Sequence, residues 1–155
     1  RKESSAASDV YKRQVYSNGK VLLTGEYVIL DGALSLATPT KFGQYLRLRE
    51  SQSNLINWKS INFDGNIWFE CLITSDTLKV KSTSSKKISN TLVEIINLIR
   101  DYNPTFLKKC GSDISTNLTF EKNLGLGSSS TLISNLSKIS GVNPYTINNK
   151  IFKIQ

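Results

Sequence analysis

The sequence predicts an α+β fold, because the spacing of its apolar residues changes along the chain. Up to residue 82, short apolar segments alternate with turn signals, which is typical of strands. From residue 92 onwards, apolar residues recur at spacings of three and four, which is typical of helices. The chain has 155 residues, of which 39% are hydrophobic, so it is long enough to enclose the core of a single domain.

The first half of the chain predicts a series of short strands. Gly25 and the hairpin signal Asp31-Gly32 separate the first three segments, and Asp64-Gly65 marks a later turn. The predicted strands are residues 20–23, 27–30, 34–38, 45–48, 55–58, 67–73 and 79–82.

The second half predicts two helices with one strand between them. The spacing of Thr91 and Glu94 suits a capping box for the first helix, and Asn103-Pro104 ends it. Residues 114–120 alternate between apolar and polar, which indicates a half-buried strand. The apolar helix faces contain Leu92, Ile95, Ile96 and Ile99 in the first helix, and Leu132, Ile133, Leu136 and Ile139 in the second.

Residues 1–14 (RKESSAASDVYKRQ) show no apolar period, unlike the rest of the chain. They resemble translated adapter sequence, and a disordered, mildly basic tail is the alternative. We therefore place the domain at residues 15–155 and set residues 1–14 aside as a tail or artefact.

Cysteine usage and hydropathy predict a cytoplasmic protein. Cys71 and Cys110 fit no zinc spacing and are interpreted as reduced, structural thiols. No secretory signal is evident, and no apolar run approaches the about 20 residues that cross a bilayer, so we expect no membrane partner.

The net charge of +8 favours an anionic ligand, and its distribution argues against nucleic acid. The lysines and arginines are scattered and few aromatic residues lie among them, so no stacking platform is indicated. We expect no nucleic-acid partner, although a basic nucleic-acid-binding α+β domain is the alternative from another class of function.

Residues 123–130 (NLGLGSSS) form the most informative motif. Gly125 and Gly127 allow backbone amides to approach a ligand closely, and the serines fall at the start of the second helix, where free N–H groups and the macrodipole favour phosphate. The alternative is a simple helix cap at Ser128. The motif is neither a Walker A loop nor a Rossmann fingerprint, and the absence of histidine argues against a Ser-His-Asp triad.

A second motif, residues 17–33 (SNGKVLLTGEYVILDGA), lies about a hundred residues upstream. In this order, the two motifs resemble those of the GHMP kinases, the superfamily of galactokinase, homoserine kinase, mevalonate kinase and phosphomevalonate kinase. Within that superfamily, the residues of these motifs are most similar to a mevalonate kinase-like branch named for a Gly-Tyr-Asp-Ile-Ala motif. Asn18 and Tyr27 depart from the common pattern, where proline and histidine are usual.

The resemblance implies a ribosomal-protein-S5-domain-2-like fold and a role for each matching residue. Lys20 would lie near the transferred phosphoryl group, and Glu26 would contact substrate or anchor the first hairpin. Ser129 would also hold magnesium. The nucleotide-binding residues implied are Gly125, Leu126, Gly127, Ser128, Ser129 and Ser130.

The activity implied is transfer of a phosphoryl group from ATP, with Mg²⁺, to a hydroxyl of a small molecule resembling mevalonate. A sugar, homoserine or phosphomevalonate remains open as acceptor, and the sequence does not indicate the oligomeric state. The later family motif that supplies the catalytic aspartate is missing, and no acidic residue follows Glu121. We therefore expect an N-terminal fragment with nucleotide affinity and little turnover. A degenerate fragment without nucleotide binding is the non-enzymatic alternative.

Overall fold

The computed structural model of the chain describes residues 12–24, 34–108 and 110–152. Within these ranges it contains a six-stranded mixed sheet and three α-helices, so the predicted α+β fold is confirmed. The strands are β1 (Lys12–Leu22), β2 (Ala37–Ser51), β3 (Leu55–Ile61), β4 (Ile67–Thr74), β5 (Val80–Thr83) and β6 (Gly111–Leu118), and the helices are α1 (Lys86–Tyr102), α2 (Ser128–Ser140) and α3 (Pro144–Phe152).

The order of the strands in the sheet is β1-β2-β6-β3-β4-β5. Strand β6 pairs with β2 in antiparallel orientation and with β3 in parallel orientation, and every other pair is antiparallel. The last strand in the chain therefore lies in the middle of the sheet. Because β6 ends at Leu118, the segment that leads into the glycine-rich loop starts from the sheet centre.

The core lies between one face of the sheet and the helices. Trp58 and Phe69 are 1% exposed, and Ile96 of α1 and Ile147 of α3 are fully buried. Full burial of each such side chain stabilises the fold by about 1.5 to 3 kcal/mol relative to an exposed position. The amphipathic period predicted for α1 and α2 faces this core.

Strands β1 and β2 are longer than the sequence predicts. Strand β1 begins at Lys12 and so includes three residues that the sequence analysis set aside, and the Arg13 guanidinium donates to the carbonyl of Ile139 at 3.0 Å. Strand β2 is one continuous strand of 15 residues, because Pro39 pairs with Lys20 and does not interrupt the ladder. The predicted strand 27–30 and the Asp31-Gly32 turn lie outside the described residues.

Helix α1 begins earlier than the predicted capping box, and that prediction is wrong. Thr91 lies inside the helix, where its hydroxyl donates to the carbonyl of Lys87 at 3.2 Å. The predicted end of the helix is confirmed, since the backbone N–H of Asn103 caps it by donating to the carbonyl of Ile99.

Helix α3 was not predicted. Its signal in the sequence is Asn143-Pro144, a helix-capping residue followed by a proline. The Asn143 side chain accepts the Tyr145 N–H at 2.9 Å, and proline is well suited to the first position of a helix.

The remaining local predictions concern a turn and the two thiols. Asp64-Gly65 forms the β3–β4 turn, with Gly65 at φ +86°. Cys71 and Cys110 are free thiols, as predicted, and burial raises the pKa of Cys71 to about 11. Among the helices described, none is both long and apolar enough to cross a membrane.

Candidate functional site

The glycine-rich loop joins the sheet centre to α2. A short 3₁₀ helix, Lys122–Leu124, follows β6, and Gly125 then adopts a left-handed conformation with φ +69°. Gly127 is the residue that precedes α2, also left-handed with φ +75°. The predicted order of strand, glycine-rich loop and helix is confirmed, and both glycines occupy dihedrals that other residues rarely adopt.

The two glycines differ in the space around them. A Cβ on Gly125 would meet nothing within 4 Å. A Cβ on Gly127 would lie 2.6 Å from the Ser130 hydroxyl and 3.3 Å from Cγ of Lys20. Gly127 is therefore required both for the turn and for the close approach of Lys20 to the loop.

The three serines of the loop have different surroundings. The Ser130 hydroxyl donates to the carbonyl of Gly127 at 2.8 Å, so it stabilises the turn. The hydroxyls of Ser128 and Ser129 have no hydrogen-bond partner in the described part of the chain, and both residues line the same cavity. Gly127 occupies the capping position without a side-chain bond, so Ser128 is not the helix cap. The first-turn amides also have no intrahelical partner, and the start of the helix can therefore accept an anion.

Lys20 lies against this loop although it is distant in sequence. Its amide donates to the carbonyl of Leu126 at 3.1 Å, and its aliphatic side chain packs on Gly127. Hydrogen bonds between β1 and α2 hold this arrangement, since Ser17 Oγ donates to Ser134 Oγ at 2.9 Å. The structure thus brings the described part of the second motif, residues 17–24, against the glycine-rich loop.

The contribution of other predicted residues to the site is limited. Glu26 lies outside the described residues. Ser129 is exposed at the first turn of α2, where its hydroxyl is available to a metal ion. However, the described residues contain no group of three His, Cys, Asp or Glu side chains that would hold a metal. Mg²⁺ normally binds with one or two carboxylates plus substrate phosphates.

A cavity of about 280 Å³ opens beside the loop, between the sheet, α1 and α2. Its walls are mainly apolar, and its polar lining includes two lysines, Lys87 and Lys122, and no carboxylate. Ser128 and Ser129 also line it. An apolar cavity next to an anion-binding helix start, with positive charge and no negative charge, suits a ligand that has both a flat apolar part and phosphates.

Trp68 is a cavity residue that sequence reasoning missed. Ile61 pairs with Ile67 while Ser60 pairs with Phe69, so Trp68 is the extra residue of a β-bulge. The bulge allows Trp68 to line the same cavity as its neighbour Phe69, where strict alternation would place them on opposite faces. A bulge has no reliable sequence signal. Lys122, by contrast, stands three residues before Gly125, so its position near the loop was readable from the sequence.

No protein-family model and no curated protein sequence matches this chain. Solved structures do match it. It is similar to Lactococcus lactis galactokinase complexed with galactose (18% identity, TM-score 0.59, covering 93% of this chain and 34% of that one). It is similar to Methanococcus jannaschii mevalonate kinase (16%, TM-score 0.61, 91% and 47%). A mevalonate diphosphate decarboxylase from Legionella pneumophila also matches (12%, TM-score 0.55, 91% and 41%).

These likenesses show the fold. The chain shares its fold with part of these galactokinase, mevalonate kinase and decarboxylase structures, as the resemblance implied. It spans about a third to a half of the length of the structures it matches.

Proposed function

We propose that this chain is the nucleotide-binding portion of an ATP-dependent small-molecule kinase of the GHMP type. Because a decarboxylase shares the fold, the fold alone does not select this activity. The observation that carries the proposal is the contact between Lys20 and the loop, next to the unpartnered hydroxyls of Ser128 and Ser129. This arrangement combines a cation, free hydroxyls and helix-start amides, which are the groups that phosphoryl transfer requires.

In this proposal the nucleotide is shared between the cavity and the loop. The amides of the Gly125–Gly127 turn and of the first turn of α2 hold the phosphates. The apolar walls of the cavity, among them Phe69 and Ile95, take the base. Lys20 neutralises charge on the transferred phosphoryl group, and Ser129 is one ligand of a magnesium ion that arrives with the nucleotide.

The acceptor in this proposal is a hydroxyl of a mevalonate-like acid, and Glu26 is the candidate contact. The names of the matching structures include a galactokinase and a mevalonate kinase, so a sugar is the competing acceptor. A cytoplasmic location remains a prediction. We further propose that these 155 residues bind ATP without efficient turnover, because no acidic residue follows Glu121 to orient the accepting hydroxyl.

The test combines binding and turnover on the 155-residue chain. A fluorescent ATP analogue should bind saturably and be displaced by ATP and by inorganic tripolyphosphate. A coupled assay for ADP with mevalonate, galactose or homoserine should show no turnover above background. Failure of ATP to displace the analogue would contradict the proposed site, and rapid ADP formation with one acceptor would contradict the proposed lack of turnover.

A further inference from the structure

The ammonium of Lys122 lies over the ring of Trp68, 3.7 Å from the ring centroid. Both residues line the cavity that also contains Ser128 and Ser129. Attraction between a cation and the negative face of an aromatic ring holds such a pair together. Within the described part of the chain, this ring is the partner that the structure records for the Lys122 ammonium. The cation is therefore held by one contact that a ligand can replace.

The Lys122–Trp68 pair lies next to the glycine-rich loop, and so close to the proposed phosphate site. Lys122 is the first residue of the 3₁₀ helix that ends at Gly125, and its side chain is exposed. An exposed lysine has a long, flexible side chain and moves at little cost. Lys122 and the serines at the start of α2 therefore line one cavity from two adjoining segments of the chain.

Trp68 offers a second indication of an occupant. Its indole nitrogen is buried and has no hydrogen-bond partner. Buried donors are normally satisfied, so Trp68 carries a polar group that the described residues leave without an acceptor. A purine presents a flat face that stacks on aromatic side chains such as this indole.

We propose that Lys122 and Trp68 form a nucleotide-responsive pair. This inference rests on the proposed nucleotide site and adds two residues to it. A purine base stacks on the face of Trp68 that Lys122 covers in this structure, because one ring face does not hold both groups at van der Waals distance. The displaced ammonium then contacts the phosphates at the start of α2, so its contact with the ring is exchanged for a charge-assisted hydrogen bond.

The proposal predicts different effects of one substitution on the binding of ATP and of adenosine, two ligands that differ only in their phosphates. Replacement of Lys122 by Gln removes the contact with the phosphates and also removes the cation that competes with the base. Lys122→Gln should therefore weaken ATP binding about tenfold, the equivalent of one charge-assisted hydrogen bond. Adenosine binding should be unchanged or tighter. A purely structural role of Lys122 would affect both ligands equally.

The experiment follows intrinsic tryptophan fluorescence of the 155-residue chain during titration with ATP and with adenosine. The wild type is compared with Lys122→Gln, with Trp68→Phe and with Lys81→Gln, an exposed lysine on the edge strand β5, as the matched control. ATP should change the emission of the wild type and of Lys81→Gln. In Trp68→Phe this change should be smaller, since Trp58, which also lines the cavity, is then the remaining tryptophan. Circular dichroism verifies that each variant is folded.

The outcomes distinguish this inference from the function on which it rests. Equal ATP affinities of wild type and Lys122→Gln would overturn the inference and leave the nucleotide site intact. An equal loss of ATP and adenosine affinity in Lys122→Gln would also overturn it. If neither ATP nor tripolyphosphate binds the folded wild type, the proposed function fails, and this inference fails with it.

Discussion

The amide of Lys20 donates a hydrogen bond of 3.1 Å to the carbonyl of Leu126, and this bond joins the first strand to the middle of the glycine-rich loop. The bond fixes the loop relative to the sheet edge and places the Lys20 side chain on Gly127. Two segments that lie far apart in sequence therefore meet at the candidate site, where the strand contributes Lys20 and the helix start contributes amides and hydroxyls.

Gly19 permits this approach, and its replacement should disturb the loop. A Cβ at Gly19 would lie 2.6 Å from the carbonyl oxygen of Leu126, a backbone atom that moves only with the loop. We expect Gly19→Ala to cost about 1 to 3 kcal/mol of stability, as overpacking does, and to weaken ATP binding. Gly141→Ala, at the end of α2 opposite the loop, where a Cβ would meet nothing within 4 Å, should leave ATP affinity unchanged. Unaltered ATP affinity in Gly19→Ala would show that the loop does not depend on this contact. Calorimetric titration and thermal denaturation measure the two effects.

Ser129 and Ser130 should separate a ligand contact from a structural one. Ser130→Ala removes the bond to the Gly127 carbonyl and should cost about 0.5 to 1.5 kcal/mol of stability. Ser129 has no such bond, so Ser129→Ala should leave stability nearly unchanged. If Ser129 is a magnesium ligand, this variant should bind ATP more weakly with Mg²⁺ and equally well with EDTA. A loss of the same size in EDTA would argue against metal ligation.

Arg100 stabilises the segments packed around the end of α1 through hydrogen bonds to backbone carbonyls, with an added electrostatic attraction to Asp76. Its guanidinium donates to the carbonyls of Ser75, Asp76, Phe106 and Leu107 at distances of 2.5 to 3.1 Å. Arg100→Ala leaves these acceptors without that donor and should cost about 3 kcal/mol. Arg49→Ala, at an exposed position of β2, should change stability by less than about 0.5 kcal/mol. Urea denaturation gives both values, and similar values for the two variants would contradict this role.

Cys71 should make stability depend on pH above 9. Burial raises its pKa from 9.0 to about 11 in the folded protein, so the folded state retains a proton that the unfolded state releases. The stabilisation is fully present below pH 9 and is lost as the pH rises towards 11, with a total of at most about 2 to 3 kcal/mol. Cys71→Ala should be less stable but should lack this slope, while Cys110→Ala should retain it. An unchanged slope in Cys71→Ala would assign the effect to another group.

The sequence predicted those parts of the fold that local patterns determine. The spacing of apolar residues predicted α2, and Asp64-Gly65 predicted the β3–β4 turn, because each feature depends on neighbours in the chain. The parallel pairing of β3 with β6 and the continuation of β2 through Pro39 depend on strands that meet only in the folded protein. Those features had no local signal.

In the candidate site, too, some residues were predictable from local sequence motifs and others were not. Lys20 and the loop were predicted because both belong to motifs, and the structure places them in contact. Trp68 enters the cavity through a β-bulge that no composition rule indicates. The role of Glu26 stays a prediction, since it lies outside the described residues.

The most direct test of the central claim is calorimetric titration of the 155-residue chain with ATP and Mg²⁺, comparing wild type, Gly127→Ala and Gly141→Ala. Gly127 and Gly141 have nearly equal φ angles, +75° and +74°, so both substitutions place an alanine in the left-handed region. A Cβ at Gly141 meets nothing within 4 Å, whereas one at Gly127 intrudes on Ser130 and Lys20. Saturable binding by wild type and Gly141→Ala, with affinity at least about tenfold lower in Gly127→Ala, is the predicted result. Equal affinities in all three folded proteins, or no binding by any of them, would contradict the phosphate loop.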